Sequence, residues 1–392
     1  AIKTRTPDMV DVYHRDQVDS KGISYYCFRI PALVRTGAGA LIAFAEGRRI
    51  NCDDTGDVRL VRRISYDEGQ TWSAIDQVKA EESHTIGNPL PIVDLVTGDV
   101  HLLYSRDTKE VFVTRSSDGG VSWGPSTNLT AALNLVLDPD PANAFVMTGP
   151  PGGIQVEATG RLVGAIYFGG PDGVRSAAIY SDDHGMTWQR GREVPVSQTP
   201  LPNASSVVYM GGESQVAPYA DGGPSGLVML MRVRGDFPPP SSPMRGRSWG
   251  AEMHPEAVDH NHAAAISTDG GESWAAASLL HMTSSYCQGS IVTVGARMLI
   301  SAPSTTNGGR ANLTLWDANP QKSVIDTEFA ATIYPGASAY SSMVAGTQPA
   351  TVLNLFERDT DPYVPMNLTL ATVPIPSCET PGCEAWKHDA LR

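Results

Sequence analysis

The chain has 392 residues, a formal net charge of −13, 38 Gly and 29 Pro; it is too long for one ordinary compact core, yet no linker or low-complexity tract divides it. The acidic excess argues against nucleic acid or an anionic membrane surface as partner, though a local cluster of Arg can still hold an acidic ligand. No apolar run reaches membrane-spanning length, no signal peptide is recognisable, and the start at Ala1 without Met is what removal of a leader would leave. With no amphipathic helical period of useful length, the chain is expected to be all-β. It reads as a single domain over residues 1–392, with an N-terminal arm or early strand at 1–20 and a tail at 376–392.

Tyr25 to Leu33 reads as an apolar strand with Arg29 inside it. A charge flanked by core residues needs a partner, either a carboxylate of the chain or the carboxylate of a ligand held by the planar fork. Asn51-Cys52-Asp53-Asp54-Thr55-Gly56-Asp57 places three carboxylates in a polar loop right after a strand, a solvated turn or a functional one. Ser65 to Trp72 then sets the pattern Ser-x-Asp-x-Gly-x-Ser/Thr-Trp, which recurs at Ser116 to Trp123, Ser181 to Trp188 and Ser267 to Trp274. The Asp accepts turn N–H groups, the Gly takes positive φ, the hydroxyl ties back the exit and the Trp anchors by burial. The residues upstream (Val58 to Ile64, Val111 to Thr114, Ala177 to Tyr180, Ala263 to Ile266) suit strands, so each box is expected to be a hairpin turn. Calcium is disfavoured, because the boxes carry too few oxygens and only Ser181 to Trp188 offers a second carboxylate. Four hairpins of one design imply repeated sheets, and hence a β-propeller whose boxes are scaffold.

Further along, Val136 to Gln155 is a Pro- and Gly-rich connection, because Asp138-Pro139-Asp140-Pro141 cannot be a central strand. Glu213 and Arg232, the latter ending an apolar strand, form a mutual ion pair or a site. Asp236 to Gly250 reads as an extended surface loop. His254, His260 and His262 are expected to be neutral loop histidines rather than metal ligands. Of the five Cys, Cys378 and Cys383 can close a small disulfide loop, while Cys27, Cys52 and Cys287 read as scattered buried thiols with no zinc spacing. Asn128, Asn203, Asn312 and Asn367 lie in Asn-x-Ser/Thr sequons, weak support for a secretory route.

Phe28-Arg29-Ile30-Pro31 followed by such boxes resembles the sialidases, and the likeness runs through Phe44-Ala45-Glu46-Gly47-Arg48 to the C-terminal third. Ser181 to Trp188 and Tyr334 to Ser342 look most like the animal lysosomal branch, with bacterial and fungal members close by. The resemblance implies a six-bladed propeller of four-stranded antiparallel blades, secreted or lysosomal, acting on terminal sialic acids of glycoproteins, gangliosides and oligosaccharides without a cofactor or metal. It implies Tyr340 as nucleophile, Glu213 as its base and Asp54, with Asp53 as the alternative register, as acid and base. It further implies Arg29, Arg232 and Arg310 as a carboxylate clamp, Glu357 as the group that orients Arg29, and Arg48, Asn88 and Gln288 near the sugar. Three Arg suit a sugar whose carboxylate sits on the anomeric carbon, and a neutral Tyr can attack there without repulsion. Trans-sialidase action, a preference for the deaminated sugar, and a non-catalytic lectin are the competing readings.

Overall fold

The computed structural model describes residues 7–141, 144–170, 173–195, 211–219, 222–233, 261–305, 309–321, 324–359 and 367–375. Among them there is no α-helix. After β1 (Asp8–His14), the first sheet comprises β2 (Cys27–Arg35), β3 (Leu41–Arg48), β4 (Val58–Ser65) and β5 (Asp76–Lys79). The second comprises β6 (Ile86–Val93), β7 (Val100–Arg106), β8 (Glu110–Ser116) and β9 (Thr127–Asn128). In the third, β10 (Val146–Thr148) and β11 (Ile154–Gln155) both pair with β12 (Leu162–Gly170), which continues to β13 (Gly173–Ser181) and β14 (Gln189–Glu193). The fourth comprises β15 (Ser214–Pro218), β16 (Leu227–Arg232), β17 (His262–Ser267) and β18 (Ser278–Leu279). In the last, β19 (Ser290–Val294), β20 (Arg297–Pro303), β21 (Ala311–Gln321), β22 (Val324–Ala345), β23 (Thr351–Arg358) and β24 (Asn367–Pro374) are joined by β1 at the far edge.

All pairings within the sheets are antiparallel, and β2, β6, β12, β15, β19 and β22 adjoin one another in turn, β22 returning to β2. This is a propeller-like ring of small sheets. It is not the expected set of six separate four-stranded blades, because the last sheet has seven strands. The reason lies in β22, a 22-residue strand that pairs with β21 as far as Ala337 and with β23 from Ser338 onward. The chain passes from one array to the next without leaving the ladder.

Packing follows from two-sided burial. Every residue of β3 is buried. Leu41, Ala43 and Ala45 share a core with Leu353, Leu355 and Leu370, whereas Ile42 and Phe44 share one with Ile86, Leu102 and Tyr104 of the second sheet. Each large side chain so buried contributes about 1.5–3 kcal/mol relative to exposure. Glu46 and Arg48 continue the Ile42 face to the end of the strand.

The four boxes are hairpin turns, as expected, each joining the last two strands of its sheet. In the first, Asp67 Oδ1 accepts from Ser65 Oγ and Thr71 N, both at 2.8 Å, and Gly69 N donates to Ser65 Oγ at 2.8 Å. Their location explains the repeat. A Cβ on Gly69 would stand 2.2 Å from Leu370 of β24, and one on Gly120 would stand 2.5 Å from Ile42 of β3, so each turn abuts the preceding sheet. These glycines also have φ of 86° and 88°, a second reason for their identity. The Trp of each box packs into the core shared with that preceding sheet, Trp188 with Leu103 and Trp274 with Val163.

One cysteine expectation is corrected. Cys27 and Cys52 are joined as a disulfide with Cα atoms 5.9 Å apart, while Cys287 is a buried free thiol. The two thiols were too far apart in sequence to suggest pairing, but β2 and the end of β3 lie side by side. Cys378, Cys383, the loop 236–250, His254, His260 and Asn203 lie outside the described residues.

Candidate active site

The site lies at the end of the sheets opposite the boxes. Arg48 pairs with Val58 at one end of β3 and Leu41 with Ser65 at the other, so the two ends are about 23 Å apart along the strand. Three of the central strands carry an irregularity there: the register shifts between Arg29 and Ala32, between Gly87 and Leu90, and between Ser338 and Ser341. A bulge re-aims the side chains beside it. Here those include Arg29, Asn88 and Tyr340. Ile30 and Asn88 each precede a Pro and adopt φ of 53° and 54°. For β-branched Ile30 this is a strained conformation, held by its N–H donating to Glu357 at 3.0 Å.

Tyr340 is at the centre. Its hydroxyl donates to Glu213 Oε1 at 2.7 Å and accepts from Arg232 Nη1 at 3.3 Å. The Arg29 and Arg310 guanidiniums lie 5.5 and 5.8 Å from its ring centre. Burial and the Glu213 carboxylate hold the phenol well above its usual range, outweighing Arg232 and Arg310, so at rest it is neutral. Glu213 is also bound by Arg232 Nη1 at 3.0 Å. Behind it, burial and the Arg232 charge push His262 down to about 4, so this histidine is neutral too.

Each of two expected clamp arginines has a carboxylate to orient it. Arg29 Nε meets Glu357 Oε1 at 3.2 Å, joining residues 328 apart, and Glu357 is fully buried. Arg232 is held by Glu213. Arg310 has no carboxylate in contact among the described residues; its Nη2 donates to the carbonyl of Tyr286 at 3.2 Å. Arg232 donates to the same carbonyl at 3.4 Å and stacks on the Tyr286 ring at 3.9 Å.

Asp54 Oδ1 accepts from Arg48 Nη1 at 2.8 Å and from Arg29 Nη1 at 3.2 Å, with its side chain 59% exposed. Partial loss of hydration raises its pKa, but Arg48 and Arg29 together prevail and hold the carboxyl below its ordinary value. Asp53 instead accepts from Asn51 Nδ2 at 2.6 Å and reaches no arginine in the described contacts.

Other expected sugar contacts are committed to the frame. Gln288 Nε2 donates to the carbonyls of Gly289 and Ser341, and its Oε1 accepts from Ser341 N at 3.0 Å, so it fixes the residue after Tyr340. Asn88 Nδ2 donates to Thr148 O at 3.0 Å and Tyr167 hydroxyl at 3.1 Å, while its backbone N donates to Glu46 Oε1 at 2.8 Å. Glu46 also binds Arg48 at 2.6 Å, and a Cβ on Gly87 would come within 2.4 Å of its Oε1, so only Gly admits this approach. Sequence reasoning gave no role to Glu46 or Tyr286. A charged residue between Ala45 and Gly47 was a usable signal for the first; the second acts through its carbonyl, which leaves no mark in the sequence. Among the described residues no His, Cys, Asp and Glu group is placed to hold a metal.

The BNR repeat-like domain family matches residues 39–350. An exo-alpha-sialidase of Arthroderma benhamiae is 33% identical over 37% of this chain and 41% of its own length. Human sialidase-4 is 30% identical over 74% of this chain and 57% of its own length, so the chain spans about half the length of these curated relatives. Among solved structures, Trypanosoma rangeli sialidase in complex with DANA superposes with a TM-score of 0.68 at 18% identity, covering 94% of this chain and 60% of that one. The intramolecular trans-sialidase from Ruminococcus gnavus does so at 0.66 and 17%, covering 93% and 98%. At that identity these two likenesses establish the fold. With the family match across most of the chain, the curated relatives and the shared fold, the chain belongs to the sialidase family of BNR-repeat proteins.

Proposed function

We propose that the chain is an exo-α-sialidase, a retaining glycoside hydrolase that removes terminal sialic acids from glycoconjugates through a covalent intermediate on Tyr340. The observation that carries this reading is the 2.7 Å hydrogen bond from the Tyr340 hydroxyl to Glu213, set among Arg29, Arg232 and Arg310. The sugar carboxylate engages the three arginines, of which Arg310 is the least committed. Tyr340 oxygen then bonds to the anomeric carbon while its proton passes to Glu213, and a neutral phenol approaches the carboxylate-bearing carbon without charge repulsion. Arg232, already on the hydroxyl, stabilises the phenolate character that develops. Asp54 gives its proton to the departing oxygen and later takes one from the water that cleaves the glycosyl–tyrosine bond. Its carboxyl is held down at rest by two arginines, and capture of the sugar carboxylate by Arg29 weakens one of them, which favours the protonated acid.

On this reading the seven-stranded sheet is two blades sharing β22, giving a six-bladed propeller, with 1–392 as one catalytic domain. The Cys27–Cys52 disulfide supports an oxidising compartment, secreted or lysosomal. No helix among the described residues is long and apolar enough to cross a membrane.

A fluorinated sialic acid that slows the second step tests the mechanism. Its mass is expected on the peptide containing Tyr340. Label on a carboxylate such as Glu213, or β-anomer as the first product in proton NMR, would overturn it. The same enzyme with lactose present, and with the deaminated glycoside, separates hydrolysis from transfer and fixes the sugar preferred; absence of turnover on every glycoside would leave a lectin.

A further inference from the structure

The Asn51–Asp57 loop carries Asp54 but has little packing of its own. Ile50 is 75% exposed, and Asn51, Asp53, Asp54, Thr55 and Gly56 are exposed. Its downstream limb is tied firmly. Asp57 is bound by Arg49 at 2.9 Å and Arg59 at 2.8 Å, and Gly56 N donates to Thr85 Oγ1 at 2.9 Å. The upstream limb, between Arg49 and Asp54, has no buried apolar anchor among the described residues. Its strongest tie is covalent: Cys52, two residues before Asp54, is bonded to Cys27, two residues before Arg29. The bridge therefore joins the flanks of the Arg29–Asp54 contact, 3.2 Å long. Cys27 is 1% exposed and opens β2, where it pairs with Arg48, so one end of the bridge is fixed in the sheet. The same short span brings the Cys52 carbonyl to Arg48 Nη1 at 2.5 Å, and that nitrogen also holds Asp54.

We propose that the Cys27–Cys52 disulfide is a positioning device for Asp54, holding the loop so that the carboxyl stands over the leaving oxygen. This rests on the acid role given to Asp54 above. The clamp is expected to be far less sensitive. Arg29 is on a strand and oriented by buried Glu357, whereas Asp54 is on a loop and has only side-chain ties to two guanidiniums. Removing the bridge restores backbone freedom to the loop, and a proton donor displaced by about 1 Å loses much of its effect.

Leaving-group dependence distinguishes positioning of the acid from general loosening. A nitrophenol departs with little protonation, whereas a sugar alcohol needs a proton delivered in the transition state. The measurement is kcat/KM, which reports the glycosylation step, for a nitrophenyl sialoside and for a sialyl-lactose, with Cys27→Ser/Cys52→Ser, Asp54→Ala and all three changes together. The double Cys variant is expected to lose about tenfold or more on sialyl-lactose and less than about threefold on the nitrophenyl substrate. In the Asp54→Ala background, removal of the bridge is expected to change neither value further, because both changes act through one group. Equal loss on both substrates, or additive losses with Asp54→Ala, would overturn the proposal. If Asp54→Ala itself shows no leaving-group dependence, it is the acid assignment that fails; if Asp54→Ala is selective and the Cys variant is not, only the positioning role fails. Should the double variant not accumulate, wild-type protein reduced with dithiothreitol, the new thiols at Cys27 and Cys52 located by alkylation and peptide mass and its fold verified by circular dichroism, goes through the same comparison with the same deciding outcomes.

Discussion

The two ends of the sheets are built on opposite principles. At the box end each turn satisfies its own carboxylate, and the geometry repeats almost without change: the Ser hydroxyl donates to Asp at 2.8, 2.8, 2.8 and 2.7 Å in the four copies. At the site end no two sheets contribute alike, three of the central strands shift register, and the contacts at its centre join distant parts of the chain. Tyr340 and Glu213 are 127 residues apart, and Arg29 and Glu357 are 328 apart. A turn that closes on itself can be copied from sheet to sheet and adds stability wherever it is placed. A site assembled from different sheets has only one solution, and it concentrates like and unlike charges that the rest of the fold must hold in position.

Substitutions on the two faces should therefore separate cleanly. The largest effect is expected from Tyr340→Phe, which removes the proposed nucleophile but leaves the arginines: turnover should fall on the order of 10³-fold or more while calorimetric binding of a sialic acid analogue survives. Loss of both in parallel would mean that the phenol holds the site together rather than reacting. Next is Arg310→Ala, expected to weaken recognition by about 2–5 kcal/mol through loss of a charged contact. The methyl ester of the analogue should bind the intact protein poorly, and equal inhibition by acid and ester would remove the clamp from the argument. Asp183→Ala, on the other face, deletes contacts from Ser181 Oγ at 2.8 Å, Thr187 N at 2.8 Å and Thr187 Oγ1 at 2.6 Å. At this exposed position the cost is expected to be about 1–2 kcal/mol in all, seen as a fall of a few degrees in Tm with kcat unchanged. A loss of kcat at unaltered Tm would blur the distinction between the ends.

The smallest effect is one of pH. Hydrogen bonds from Thr71 and Ser65 lower Asp67, and those from Ser122 with that of Ser116 lower Asp118, each to about 2 from the usual 3.8. A carboxyl whose pKa is depressed by folding contributes stability that is complete above its unfolded value and is lost as the pH falls through the folded one. The boxes should thus sharpen acid unfolding between about pH 4 and pH 2, and Asp118→Asn should flatten Tm against pH in that window. No change in the profile would mean that the boxes keep their structure when protonated.

What could be read in the sequence follows the same division. The boxes and their feeding strands were legible because their signal is local: hydroxyl, carboxylate, Gly and Trp at fixed spacing, after a β-branched run. The blade boundaries were not, since Pro335-Gly336 reads locally as a break, yet β22 runs through it with shifts of register. From its residues alone Arg29 showed only that it needed a partner; resemblance supplied Glu357, and the structure brings the two together. The disulfide was missed because 25 residues separate its cysteines and nothing in the spacing marks strand ends that fold side by side. Which of Asp54 and Asp53 meets Arg29 and Arg48 depended on which way the loop turns.

The pairing of β1 with β24 also sets a schedule for synthesis. Asp8 lies opposite Thr372, so the first strand must wait for almost the entire chain before its partner exists. At roughly 5–20 residues per second this wait lasts about twenty to seventy seconds on the ribosome. Throughout it β1 is an unpaired edge, open to any other strand. Its sequence, Asp8-Met-Val-Asp-Val-Tyr-His14, puts an acid at its start and another at its middle. In the finished protein Asp11 is bound by Arg358 and Thr369 of the closing strands, so the charge that guards the waiting edge becomes the charge that seats it.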